Sequence, residues 1–161
     1  MKKISVIILF NIIFAALLFN FSFAGEKDRY WKKFNTGSWV LYELQDGLRQ
    51  KITLTFKTDA QISLKTEMIK DEAVVSVSEE KIPLDLSTES AAAPKPGMRE
   101  YVQDTMVVNQ VMPATIYESD TKAGIKKSWF SEQIPGGLVK SSVGDSETIK
   151  LIDYEAKYYI K

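Results

Sequence analysis

Lys51-Ile-Thr-Leu-Thr-Phe-Lys57 decides the architecture: Ile52, Leu54 and Phe56 alternate with Lys51, Thr53, Thr55 and Lys57. In an extended strand successive side chains point to opposite sides, so this segment reads as a strand with one buried and one wet face. Half-solvated strands of this kind belong to antiparallel sheets, because parallel sheets are covered on both faces and read as continuous apolar runs.

The same period continues outward. Ile62, Leu64 and Met68 alternate with Gln61, Ser63, Lys65 and Glu67; Val75 and Val77 follow, then Ile82, Leu84 and Leu86 with Lys81, Pro83 and Asp85 facing away. Gln45-Asp46-Gly47, Thr58-Asp59 and Lys70-Asp71-Glu72 between them are short enough to be hairpin turns. After Ser87 the pattern lapses, and residues 88 to 100, with Pro94 and Pro96, read as an exposed loop, either a lid or a plain surface excursion. Strands resume at Thr105 to Asn109, Met112 to Glu118, Ile125 to Ser131, Leu138 to Val143 and Glu147 to Tyr154, with turns at Asp120 to Gly124, Pro135-Gly136-Gly137 and Gly144-Asp145. Pro113 cannot donate to a ladder, which places it at a strand start or a bulge. Tyr30, Trp31 and Phe34 have helical spacing and predict one short helix over Glu26 to Asn35. Tyr154, Tyr158 and Tyr159 are expected to cover the sheet edge. The fold class is mainly β: a curved antiparallel meander, half-barrel or small barrel, of roughly eight to ten strands.

Residues 1 to 24 read as an export leader. Lys2 and Lys3 precede an apolar run from Val6 to Phe19, and Ser22-Phe-Ala24 places small residues before Gly25. An uncleaved anchor is the rival, since Ile4 to Phe23 approaches the roughly 20 apolar residues that span a bilayer. The expectation is a periplasmic or secreted single domain over 25 to 161. Of 161 residues, 21 are basic and 21 acidic, and losing Lys2 and Lys3 leaves a slight excess of acid. Nucleic acid and anionic membrane surfaces gain no electrostatic attraction from that balance, so membrane contact is expected only through an uncleaved leader.

The chain contains neither histidine nor cysteine. Ser-His-Asp triads, Cys-His dyads, zinc hydrolase sites of the usual kind, covalent haem attachment and disulfides are therefore impossible. The acid pairs Asp71-Glu72 and Glu79-Glu80 sit at apparent turns as solvated charge, and Lys140 with Ser141 and Ser142 lacks the helical Ser-x-x-Lys arrangement. No enzyme, metal or cofactor is expected.

Lys126-Lys-Ser-Trp-Phe-Ser-Glu-Gln-Ile-Pro-Gly-Gly-Leu-Val-Lys140 resembles a C-terminal signature of bacterial exported domains of unknown function, in which Trp, Ser, an acid, Pro-Gly-Gly and Val-Lys follow in order. In those domains a strand like Asp104 to Tyr117 precedes it and an opening like Gly37-Ser-Trp-Val-Leu-Tyr42 begins the sheet. They are similar, at a distance, to the periplasmic lipoprotein-carrier superfamily, whose curved sheet holds acyl chains. This chain has no clear counterpart of the carriers' lid helices.

Two functions follow as expectations. One is a carrier or binding module for an apolar ligand such as a lipid chain, with Trp129 or Phe130 lining the concave face beside Tyr42 and Met68, Met98, Met106 and Met112 as adaptable filling. The other is an envelope protein interaction module with a filled core. Pro135, Gly136 and Gly137 are read as the structural turn that returns the Trp129 strand into Leu138.

Overall fold

A computed structural model describes residues 27 to 84 and 97 to 158. The leader, Glu26, Tyr159 and most of the expected loop lie outside them. Among the described residues one α-helix, α1 (Lys27–Trp31), is followed by nine strands, with a 3-10 turn at Gln45–Gly47 between the first two: β1 (Trp39–Leu44), β2 (Arg49–Lys57), β3 (Gln61–Lys70), β4 (Ala73–Pro83), β5 (Met98–Val107), β6 (Gln110–Thr121), β7 (Gly124–Phe130), β8 (Leu138–Val143) and β9 (Ser146–Glu155). The helix is a shorter piece of the expected Glu26 to Asn35 span. Met98 to Glu100, expected in the loop, instead pair with Ser119 to Tyr117 of β6.

All nine strands form one open antiparallel sheet in the order β4-β3-β2-β1-β9-β8-β7-β6-β5. Every neighbour is consecutive in sequence except β1 and β9, where the first strand pairs with the last. Two meanders are thus zipped at the centre, and the chain passes from β4 on one edge to β5 on the other. Pairing β1 with β9 removes the two chain ends of the sheet from its edges. Five of the eight ladders contain a register shift. Each extra residue bends its strand and adds twist, which curves the sheet without closing it.

The core lies on the face carrying Val40, Tyr42, Leu54, Leu64 and Leu151, covered from outside the sheet by Trp31, Phe34 and Ile134. Leu54 is fully buried, as its alternation predicts, but Phe56 is 47% exposed. The ladder shifts between them, from Leu54↔Leu64 to Phe56↔Ser63. One inserted residue exchanges the two faces, so Phe56 turns outward. Val75 and Val77 are also exposed: Val77 pairs with Glu67 on the face opposite Leu64 and Ile82, and Val75 falls at the register shift between Met68 and Ile69. Tyr154 lies in β9 at the centre, and Tyr158 packs on Phe34 with ring centroids 5.2 Å apart, so these tyrosines do not cover an edge.

Candidate functional site

Following the registers across the sheet assigns each expected site residue to a face. Tyr42 pairs with Leu151; Ile149, two residues along, pairs with Ser141, Ser141 with Ser128, and Ser128 with Tyr117. Phe130, two residues from Ser128, shares this inner face with Tyr42, and Trp129 points away. The structure brings Phe130 to the Tyr42 side and leaves Trp129 on the other, beside Ile116 and with the Lys140 ammonium 4.5 Å from its ring centroid.

Tyr42 is 2% exposed and donates its hydroxyl proton to the Leu138 carbonyl at 3.0 Å. Burial pushes the phenol well above its usual range, because the phenolate would be desolvated. Tyr42 therefore packs as a core residue with a satisfied polar end. Phe130 stacks on Tyr30 at 5.6 Å and meets Tyr117 edge-on at 5.7 Å.

Pro135-Gly136-Gly137 does more than turn the chain. Both glycines have positive φ, 74° and 76°, and a Cβ on Gly137 would lie 2.4 Å from the Tyr30 ring, one on Gly136 3.1 Å from Trp31. The aromatic face of α1 rests directly on this bare backbone. Glu132 joins the two pieces, accepting from Arg29 at 3.1 Å and from Lys33. The Lys33 hydrogen bond, followed by the Arg29 contact, holds its carboxyl below the usual range. Tyr158 donates to the Gln133 carbonyl at 3.2 Å, and the Asn35 amide to the Lys157 carbonyl at 2.6 Å. The N-terminal segment, residues 131 to 137 and the C-terminal tail thus form one clasp under the sheet.

A second cluster crosses β5, β6 and β7 on the Trp129 face, which on β6 also carries the buried Met112, Ala114 and Ile116. Glu118 accepts from Lys127 at 2.7 Å and from the Tyr101 hydroxyl at 2.7 Å, with Arg99 at 3.5 Å. Those bonds, Lys127's first, lower the Glu118 pKa, and the same contact raises that of Lys127. Arg99 and Lys127 each stand directly opposite Glu118 in register, so the arrangement is a cross-strand charge ladder. Its members satisfy one another across the three strands.

An open pocket of about 130 Å³ lies between Glu43, Leu44 and Gln45 and the Glu147 to Lys150 segment. That is well under the roughly 300 to 1,000 Å³ of small-molecule sites. Among the described residues no group of three or more acidic side chains could hold a metal ion, and no helix is long and apolar enough to cross a membrane.

Apolar exposure is concentrated on the outer strands. At one edge Val74, Val75 and Val77 of β4 are uncovered. At the other, Val102 is 70%, Met106 65% and Val111 64% exposed, around a turn in which Val108 has a φ of +53°. The expected strands Thr105 to Asn109 and Met112 to Glu118 contain this hairpin but put its turn at 110 and 111, two residues late. The turn falls on Val108-Asn109, where Asn109 suits a tight turn but the β-branched Val108 does not announce one. The available signal was the absence of charge from Thr105 to Tyr117. Compared with protein families, curated proteins and solved structures, the chain matches none.

Proposed function

We propose that the chain is an exported, non-catalytic binding module of the cell envelope that docks a partner protein along the β4 edge. The observation that carries this reading is the exposure of Val74, Val75 and Val77 on an edge strand, outside a core that Tyr42, Phe34 and Ile134 already fill. From Ala73 to Ser78 the strand has no charge and no proline, whereas Glu79, Glu80, Lys81 and Pro83 guard the rest. An extended partner segment would add to that edge by backbone hydrogen bonding, with the valines supplying side-chain contact. The test is a photo-crosslinking residue at Val75 in the host envelope. A discrete protein adduct that disappears with Val74→Lys and Val77→Lys is expected; an adduct indifferent to those changes, or none, sinks the reading.

An apolar-ligand carrier is the second reading. It is favoured by Phe130 and Tyr117, which are only partly buried on the same face as Tyr42, and by the resemblance to the lipoprotein-carrier superfamily. It would place a lipid chain beside those rings.

A further inference from the structure

We propose that the β5–β6 hairpin tip inserts shallowly into a phospholipid bilayer, on a surface separate from the β4 edge. Its connection is Val108-Asn109, closed by the Val107↔Gln110 pair. The other strand-to-strand turns among the described residues carry charge: Asp46, Asp59, Asp71 and Glu72, Lys122, Glu132 and Asp145. The acyl boundary admits valine and methionine and disfavours charged side chains increasingly with depth, so among these turns the uncharged tip is the one suited to enter. One side of the hairpin, with Val107 and Met112, is buried in the core, and the other presents Met106 and Val111.

The direction of approach is set by topology. With antiparallel pairing throughout, the start of β1 and the turn between β5 and β6 fall at the same end of the sheet, and the turns at 71–72, 122–123 and 144–145 at the opposite end. The apolar run Ile4 to Phe23 stops three residues before α1, so in the leader-bearing chain the membrane and the hairpin tip share that end. Asp104 limits the depth. From Thr105 to Val108 the strand advances about 10 Å, within the ~5–10 Å to which interfacial segments bury. β5 is an edge strand and β6 pairs with β7 only from Thr115 onward, so the outward backbone groups of the tip are unpaired and hold it at the hydrated headgroup level.

The absence of cysteine makes the test direct. Full chains carrying Asn109→Cys, Ala60→Cys or Lys122→Cys are labelled with a nitrobenzoxadiazole fluorophore and reconstituted into phosphatidylcholine vesicles. The expected result is a blue-shifted, several-fold brighter signal at 109, shielded from an aqueous quencher, with 60 at the same end and 122 at the other both remaining quenchable. Adding Met106→Glu and Val111→Glu should abolish the shielding while the far-UV circular dichroism stays unchanged. Equal quenching at 109 and 122 overturns the proposal. So does equal shielding at 109 and 60, which would mean that the whole end is buried, or shielding at 109 that appears only with envelope proteins, which would make the tip a protein surface. The Val75 crosslink is read independently of all these outcomes.

Discussion

Gly137 and Val108 both occupy the left-handed region of backbone space, at φ of +76° and +53°, and the chain fills the two positions in opposite ways. At 137 it uses the residue that adopts this conformation freely, and the missing side chain becomes the seat of the Tyr30 ring. At 108 it uses a β-branched residue, for which the conformation is strained, and leaves its neighbours Met106 and Val111 in solvent. The clasp satisfies packing, backbone and charge together, as a region under selection for stability does. The hairpin tip carries strain and apolar exposure that folding alone does not require.

The largest expected effect tests the clasp. Gly137→Ala should cost about 3 kcal/mol, combining left-handed strain with overpacking against Tyr30, measured by urea denaturation. A loss under about 1 kcal/mol would mean that Tyr30 is free to move and that the clasp is loose. Val108→Gly should act in the opposite sense and raise stability by about 1 kcal/mol, as relief of strain outweighs the extra entropy of the unfolded chain. Destabilisation there would show that Val108 is packed, which erases the contrast. Tyr42→Phe, which orphans the Leu138 carbonyl, should cost about 1–2 kcal/mol if the inner face is dry. A neutral substitution would point to water reaching that face.

Glu118 sharpens the comparison through pH. Its folded pKa lies below its unfolded one, so its stabilising contribution is fully present above the ordinary glutamate range and is lost as pH falls through the folded value. Glu118→Gln should therefore flatten the acid limb of the stability profile relative to the parent chain while leaving neutral-pH spectra unchanged. Glu132→Gln should flatten it by the same logic within the clasp. The smallest effect belongs to β4: Val74→Lys with Val77→Lys should change stability by no more than about 0.5 kcal/mol, since both side chains are already in water.

The fold was legible because alternation was clean over long stretches. Ile52 and Leu54 mark the inner face of β2, and the short charged or glycine turns fall close to where they were expected. What failed was parity. A bulge after Leu54 reversed Phe56, and no pattern of apolar residues announces a bulge. Parity also fails at β4, where Val77 lies on the face opposite Ile82 and Val75 sits at a register shift, so both read as buried although they are exposed. The pairing of β1 with β9 depends on contacts more than a hundred residues apart and leaves no local trace. For the site, the sequence reading set Trp129 or Phe130 beside Tyr42, and the registers put Phe130 on the Tyr42 face. Trp129 was offered as an alternative to its own neighbour, which in a strand necessarily points the other way. Pro135-Gly136-Gly137 read as a turn, but its second role as a seat for Tyr30 and Trp31 requires knowing what packs on it.

Native mass spectrometry with organic extraction, on protein purified from its host envelope without detergent, tests most directly whether recognition lies on the outer strands or inside the sheet. A mass matching the polypeptide alone, with no stoichiometric lipid in the extract, is the predicted result. A reproducible one-to-one apolar ligand, lost on replacing Phe130 with a polar residue that keeps the sheet intact, would contradict it and place the binding site on the inner face.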